Sequence, residues 1–274
     1  MRISPPFPSL AEIMGLIGET GQRLAEIEAS EGAAGNISVF LGWEVEPEPY
    51  FPDVQPYTLP TAAPELAGNA FLVTGSGRRL REISRSPEAN LAFLRVEEGG
   101  KTGRLFTAPN CLFEKLTSEF NSHLAVHRDQ IAHNGLNFHA ILHAQPMHLV
   151  YLSHITRYQD PHYFNRHVLR WQPESILNIP EGLGVLPFLL PGSPELMLAN
   201  IKAMREHRLV LWGKHGVMVR SDTSIKKACD LIEYAETGAR YEYLNLTNHG
   251  LADGLTPQEI RRICDSMGVE QHIF

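Results

Sequence analysis

Two histidines and a glutamine are spaced so that they could bind a metal ion. His143 and Gln145 are separated by one residue, so on a strand they would share a face about 6.6 Å apart and could bind one ion. His215 lies in a short glycine-flanked segment, Gly213-Lys-His-Gly216, which could present its side chain in a cleft. A single histidine is more often a hydrogen-bonded core or surface residue, so only the combination indicates a metal site.

A glutamate stands near the start of a predicted helix. Glu119 follows Thr117-Ser118, in the first turn of that helix. Acidic residues are frequent at this position because the helix dipole favours them, so helix capping is one interpretation. Beside a metal ion, the same carboxylate could instead serve as a general base. Both roles stay open at this point.

Three short segments could bind an anion. They are Gly35-Asn36, Ser76-Gly77 and Thr117-Ser118. Each combines a flexible backbone with a hydroxyl or amide donor, and two precede predicted helices, whose N–H groups attract anions. The run Thr74-Gly-Ser-Gly77 matches neither a dinucleotide-binding motif nor a P-loop. No one of these segments identifies a ligand by itself.

The composition of the 274-residue chain restricts the function classes. With 24 Lys+Arg and 31 Asp+Glu the net charge is −7, and nucleic acid is not expected as the main partner because its backbone requires a basic surface. Three widely spaced cysteines without a C-x-x-C pair indicate reduced thiols in a cytoplasmic protein. No apolar run approaches a membrane span and the N-terminus lacks a signal-peptide core, so we expect no membrane partner.

Helices and strands that could position these residues alternate along the chain. Apolar spacing predicts a helix from Leu10 to Ala29. Further helices are predicted to start near Thr117, Pro146, Ser193, Asp222 or Thr223, and Thr256. Strands are predicted at 37–41, 71–73 and 209–212, with a hairpin over 91–96 and 104–107. Residues 44–66 carry six prolines and are predicted to be irregular. Because strands are interleaved with helices and the composition does not change along the chain, residues 1–274 are predicted to form a single α/β or α+β domain.

The order of these segments resembles the class II aldolase/adducin family. The resemblance extends from about Gly35 to Tyr241. It is carried by Gly35-Asn36, Val73-Thr-Gly-Ser-Gly77, Leu116-Thr-Ser-Glu119 followed by His123, His143 at a strand end, and Lys214-His-Gly-Val217. Additional agreement comes from Trp171-Gln-Pro-Glu174, Pro180-Glu-Gly-Leu-Gly-Val-Leu-Pro187, Leu190-Pro-Gly-Ser-Pro-Glu195 and Leu209-Val-Leu-Trp212.

The resemblance implies both a fold and an activity. The fold is a central sheet covered by helices on both faces, usually in a cyclic homotetramer with active sites at subunit interfaces. The activity is the reversible, metal-dependent aldol cleavage of a ketose 1-phosphate, which yields dihydroxyacetone phosphate and a short aldehyde. If the sugar is L-rhamnulose 1-phosphate, that aldehyde is L-lactaldehyde.

Site residues also follow from the resemblance. In the family a divalent metal, usually zinc, is held by three histidines. His143 and His215 match two of them, and Gln145 stands at the third position. The resemblance implies that Glu119 moves the proton at the carbon that becomes the enediolate, and that Glu174 reaches a neighbouring subunit's site. The matches to the family's phosphate-binding segments are Gly35, Asn36, Ser76, Gly77, Thr117 and Ser118.

Two alternatives remain at this stage. The same scaffold supports other sugar-phosphate aldolases and an epimerase of pentulose phosphates, but those relatives usually keep the His-x-His pair that Gln145 interrupts. Adducin-like members keep the fold without catalysis and act in protein assembly. Loss of one histidine ligand favours this second alternative, whereas Glu119 and the anion-binding segments favour an enzyme.

Overall fold

Nine strands form one sheet in the computed structural model, which describes residues 2–274. Their order across the sheet is β2-β5-β4-β3-β1-β6-β9-β8-β7, and all neighbours pair antiparallel except β7 and β8. The strands are β1 (Asn36–Leu41), β2 (Asp53–Thr58), β3 (Ala70–Thr74), β4 (Leu91–Val96), β5 (Thr102–Thr107), β6 (Phe138–Ala144), β7 (Gly184–Leu186), β8 (Leu209–Trp212) and β9 (Gly216–Ser221).

Ten α-helices connect and cover the strands over the same described residues. They are α1 (Leu10–Glu26), α2 (Leu80–Ile83), α3 (Pro87–Asn90), α4 (Phe120–Asn134), α5 (Met147–Ser153), α6 (Pro161–Val168), α7 (Pro173–Asn178), α8 (Pro194–Glu206), α9 (Ile225–Thr247) and α10 (Pro257–Met267). Within residues 2–274, none of these helices is both long enough and apolar enough to cross a membrane.

Helices pack on both faces of the sheet because successive side chains of a strand point to opposite sides. On β1, Val39 belongs to the apolar cluster that includes α1, α5 and α9. Its neighbour Phe40 belongs to a second cluster with Phe120 and Leu124 of α4. A third cluster joins α4 to α8 over the β6, β8 and β9 strands. The predicted α/β architecture, a central sheet covered on both faces, is confirmed.

The proline-rich segment 44–66 differs from the expectation of an irregular excursion. It contains β2, which pairs with β5 as the edge strand of the sheet, and a short 3₁₀ helix, Pro64–Leu66. Pro56 lies within β2. Proline has no N–H to donate, but an edge strand has one side without a partner strand, so the residue is tolerated there.

Two predicted boundaries also shift. Helix α1 begins after Ser9, which forms a capping box with Glu12, but it ends at Glu26 instead of Ala29. Glu28 adopts a left-handed backbone with φ of +59°, which a helix cannot continue through. Helix α9 begins after Ser224, not after Asp222 or Thr223. Strand β9, which ends at Ser221 three residues before the helix N-cap, was not predicted by the sequence analysis.

Candidate active site

Glu119, His143 and His215 converge at the end of the sheet where β1, β6 and the β8–β9 turn meet α4. Glu119 Oε2 lies 3.5 Å from His143 Nε2, and Glu119 Oε1 lies 3.7 Å from His215 Nε2. One donor atom from each of the three residues lies within 4.8 Å of the other two. These residues are separated by up to 96 positions in the chain, and the structure brings them together as a single group.

His143 is held in one tautomer by the neighbouring strand. It lies near the end of β6, buried, and its Nδ1 is 2.9 Å from the Val217 carbonyl oxygen of β9. A carbonyl only accepts hydrogen bonds, so Nδ1 carries the proton and donates it. The lone pair of Nε2 is therefore directed toward Glu119. This arrangement is typical of a histidine that ligates a metal.

His215 lies in the tight turn of the β8–β9 hairpin. The preceding Lys214 has a left-handed backbone with φ of +63°, and the His215 N–H donates to the Trp212 carbonyl. The next residue must be glycine, because a Cβ on Gly216 would lie 2.8 Å from His143 Cε1. Burial and the nearby His143 lower the pKa of His215, while Glu119 opposes that shift. A lowered pKa favours the neutral imidazole, which is the form that binds metals.

Glu119 occupies the N-cap position of α4 without capping it through its side chain. Glu119 is 6% exposed, and its Oε2 accepts a hydrogen bond of 2.8 Å from Asn36 Nδ2. Asn36 is paired with His143 in the β1–β6 register, which places its amide beside the same group. Of the two interpretations of Glu119, the structure favours a carboxylate directed into the site over a side-chain cap.

Two imidazoles beside a carboxylate form a site that suits a divalent metal such as zinc. His215 Nδ1 is buried and has no hydrogen-bond partner within residues 2–274, so nothing in the described chain fixes its tautomer. His143 Nε2 and His215 Nε2 both face the Glu119 carboxylate. The residues present fit a metal bound between the two histidines.

Gln145 lies one residue beyond β6 and is half-buried. Its N–H donates to the Ala29 carbonyl, and its Cγ lies 3.2 Å from the position that a Cβ on Gly216 would occupy. The side chain also lines an open cavity of about 600 Å³ whose wall includes Val150 and Tyr151. The structure therefore places Gln145 next to the turn that bears His215. The following histidine, His148, is bound to Glu236 instead.

The three segments predicted to bind phosphate are linked by hydrogen bonds between residues in them and next to them. The Thr117 N–H donates to the Thr74 carbonyl, the Ser76 N–H donates to the Lys115 carbonyl, and the Ile37 N–H donates to Thr74 Oγ1. Gly35 and Gly77 adopt left-handed backbones with φ of +86° and +70°. The Ser76 and Ser118 side chains are exposed. The structure therefore brings the segments that contain Gly35, Asn36, Ser76, Gly77, Thr117 and Ser118 to the same end of the sheet as Glu119, and Asn36 contacts its carboxylate.

Glu174 is not part of this group within the subunit. It lies exposed in the first turn of α7, a helix that packs against α9 and α10. The structural contacts of the described residues do not link it to Glu119 or to either histidine. Any role for Glu174 at a site therefore requires a second subunit.

Sequence reasoning missed a buried polar network beneath the site. Ser38 Oγ of β1 is 2.7 Å from His123 Nδ1 and 2.8 Å from His127 Nε2, both on α4. His127 Nδ1 is in turn 2.8 Å from His139 Nδ1 on β6. All three histidines are fully buried, and burial is the main reason that their pKa values lie below the usual range. The available signal was the four-residue spacing of His123 and His127, which places both side chains on the same face of a helix.

Trp212 was also missed as a neighbour of the site. Its indole stacks on the His143 ring, and it is the last residue of the strand before the His215 turn. The sequence analysis treated it only as a strand residue, and no local pattern indicated its contact with a residue 69 positions earlier.

Comparison with known proteins identifies relatives of the chain. The family model described as Class II Aldolase and Adducin N-terminal domain matches residues 16–243. A rhamnulose-1-phosphate aldolase from Listeria monocytogenes is 29% identical over 261 residues, which cover 93% of this chain and 92% of the relative. Its counterpart from Yersinia pestis is 33% identical over 76% of each chain. The crystal structure of a sugar-phosphate aldolase from Thermotoga maritima superposes with a TM-score of 0.73 at 28% identity, covering 87% of this chain and 96% of that one. The chain therefore belongs to the class II aldolase and adducin family.

Proposed function

We propose that this protein is a class II aldolase, a carbon–carbon lyase, that reversibly cleaves L-rhamnulose 1-phosphate to dihydroxyacetone phosphate and L-lactaldehyde. The observation that carries the proposal is the convergence of Glu119, His143 and His215 within 4.8 Å. The relatives named rhamnulose-1-phosphate aldolase support the choice of sugar. An adducin-like assembly role would not require a buried carboxylate directed at two histidines.

Class II aldolases are metal-dependent, and we propose Zn²⁺ as the metal here. His143 and His215 would hold it, with Gln145 in or near its coordination sphere. The bound metal would supply Lewis-acid stabilisation for the negative charge of the enediolate that remains when the carbon–carbon bond breaks. The fixed Nδ1–H of His143 keeps its other nitrogen available as a ligand.

We propose that Glu119 exchanges a proton with the carbon atom that becomes part of the enediolate when the carbon–carbon bond is cleaved. In the cleavage direction this carbon receives a proton, and in the synthesis direction it gives one up to the carboxylate. Asn36 Nδ2 donates to Oε2, which orients the carboxylate. Oε1 makes no such bond to Asn36 and remains the oxygen available for the proton.

The substrate phosphate is proposed to lie against Gly35, Asn36, Ser76, Gly77, Thr117 and Ser118. The hydroxyls of Ser76 and Ser118 would contribute donors, because the Ser76 and Thr117 N–H groups are already used within the backbone. Neutral donors allow a chain with a net charge of −7 to bind an anion locally.

We further propose a homotetramer in which Glu174 reaches the site of a neighbouring subunit. We also propose a cytoplasmic location for this assembly. The three free cysteines support a reducing compartment.

An assay of purified protein against a panel of ketose 1-phosphates tests the proposed reaction. Release of dihydroxyacetone phosphate should be fastest from L-rhamnulose 1-phosphate. Treatment with a chelator should abolish the release, and added zinc, cobalt or manganese should restore part of it. Full activity in metal-free protein, or no release from any member of the panel, would contradict the proposal.

A further inference from the structure

The indole of Trp212 contacts both candidate metal ligands. Its ring centroid lies 4.6 Å from that of His143 with an angle of 23° between the planes, a stacked arrangement. It lies 5.2 Å from the His215 ring, at 35°. Trp212 is 1% exposed, so the indole cannot leave this position without opening the core. One buried aromatic face therefore limits the motion of both histidine rings.

Asn200 of α8 fixes the rotation of this indole. Trp212 Nε1–H donates to Asn200 Oδ1 over 2.7 Å, and Asn200 is completely buried. Asn200 Nδ2 is buried as well and has no hydrogen-bond partner among residues 2–274. An unpaired buried amide destabilises a fold, so packing alone would favour an apolar residue here. The unpaired Nδ2 of Asn200 is explained if the role of this residue is to fix the orientation of Trp212.

The β8–β9 hairpin combines these constraints. It carries His215 in its turn, it stacks Trp212 on one face of His143, and its Val217 carbonyl accepts a hydrogen bond from the Nδ1–H of His143. His143 itself belongs to β6, the strand beside the hairpin. The spacing between the two candidate ligands is therefore set by how the hairpin lies, and Asn200 anchors the hairpin to α8 through the indole.

We infer that Trp212 and Asn200 form a positioning pair that holds His143 and His215 at the separation a metal ion requires. Neither residue of the pair is among the proposed metal ligands or phosphate-binding residues, and the inference rests on the proposed metal site. Outer groups that orient ligand histidines typically change metal affinity by about 10–100-fold when removed. We expect a loss of that size here.

Three variants test the inference: Asn200→Leu, Trp212→Phe and the combination of both. Zinc affinity is measured on the purified full chain by competition with a chromophoric chelator, and the melting temperature is measured in parallel. Each single variant leaves one buried polar group unpaired, so each should melt lower than the wild type. The double variant leaves neither group unpaired and should regain most of that stability. Its zinc affinity should nevertheless stay about 10–100-fold below that of the wild type.

The alternative is a pair that only contributes to packing. In that case the double variant would regain zinc affinity together with its melting temperature, and this result would overturn the inference. An unchanged zinc affinity in Asn200→Leu would overturn it as well. A wild-type protein that binds no zinc at all would instead refute the proposed metal site, so the two failures are distinguishable.

Fluorescence gives a readout that does not depend on turnover. The chain has three tryptophans, Trp43, Trp171 and Trp212. In a Trp43→Phe, Trp171→Phe double variant, the remaining indole stacks on His143, so binding of the paramagnetic ion Co²⁺ should quench its emission. Trp212→Phe is the matched control and should lose the quenching that the wild type shows. Equal quenching in the wild type and in Trp212→Phe would contradict the contact on which the inference depends.

Discussion

At the residue scale, the neighbours of Glu119 distinguish it from an ordinary acidic residue at a helix start. Glu12 of α1 and Glu259 of α10 each complete a capping box, with hydrogen bonds to Ser9 and Thr256 that lower their pKa values. Glu119 makes no such bond and is turned toward Asn36 and the two histidines. An acidic residue at a helix start can therefore cap the helix or face a site. Substitutions of Glu119 and Glu12 can test these two roles separately.

Glu119→Gln should lower turnover by about 10²–10⁴, the usual contribution of a positioned acid or base. The amide retains the shape of the side chain but cannot carry the proton. Circular dichroism and bound-metal analysis should show an intact fold with unchanged metal content. Glu12→Gln is the control, since it weakens a surface capping box and should leave turnover unchanged. A drop in melting temperature with normal turnover would assign Glu119 a purely structural role.

Gln145→His should tighten zinc binding by about tenfold or more, equivalent to about 1.4 kcal/mol. An imidazole is a better zinc ligand than a neutral amide oxygen, and the side chain lies beside the His215 turn. Isothermal titration with zinc measures the change, and Gln145→Ala serves as the control without a ligand atom. If Gln145→His and His143→Ala both bind zinc like the wild type, the metal-site assignment is wrong.

At the element scale, the buried polar network determines how α4 lies on the sheet. Ser38, His127 and His139 connect α4 to β1 and to β6, the strand that also carries His143. Because α4 begins directly after Glu119, the same contacts position the carboxylate. The network also makes the fold sensitive to acid.

The free energy of unfolding should fall as the pH drops below about 6.5, the usual pKa of histidine. The reason is that the pKa values of His127 and His139 lie well below this value in the fold. In the unfolded chain both imidazoles take up protons near pH 6.5, whereas in the fold they stay neutral. Protons therefore favour the unfolded state, by up to about 1.4 kcal/mol per pH unit for each histidine. Above that pH the contribution is fully retained. Urea unfolding measured from about pH 7 down to about pH 5 gives the slope.

A substitution isolates the contribution of one histidine. His127→Gln should lower the free energy of unfolding at neutral pH. It should also reduce the dependence of that free energy on pH by the amount that corresponds to about one proton taken up on unfolding. His133→Gln, at an exposed position of the same helix, is the matched control for replacing a histidine of α4 by glutamine. Identical slopes in the wild type and in His127→Gln would contradict the assignment of a neutral, buried His127.

At the scale of the whole molecule, α5 and α9 leave large apolar side chains exposed. They include Met147, Tyr151, Tyr241 and Leu244, which are 51%, 49%, 48% and 45% exposed. Clusters of exposed apolar residues often mark interfaces between protein chains. The exposed apolar side chains of α5 and α9 support the proposed homotetramer.

Leu244→Glu should weaken the assembly, because a charge would be buried at the proposed contact. Light scattering should show a tetramer for the wild type and smaller species for the variant. Leu198→Glu, at an exposed leucine of α8, is the control and should remain a tetramer. Glu174→Gln should lower turnover without changing the mass if this residue acts across an interface. A fully active wild-type monomer would contradict both expectations.

The sequence by itself predicted the family, the α/β fold and the residues of the candidate site. Glu119, His143 and His215 are recognisable because each stands within a short segment, and the order of these segments is typical of the family. Their metal-binding and proton-transfer roles stay predictions, as do those of Gln145, Glu174 and the phosphate-binding segments. The helix starts at Ser193 and Thr256 were equally accessible, since capping involves residues only three positions apart.

Only the tertiary structure decided the contacts between distant segments. The tautomer of His143 depends on a carbonyl 74 residues away, and its ring plane depends on Trp212. The strand β9 and the proline-containing edge strand β2 form because a partner strand is present, which no local pattern reports. The Ser38–His127–His139 network likewise exists only once α4 packs on the sheet. Local periodicity and capping are encoded within a few residues, whereas these contacts depend on which surfaces fold against one another.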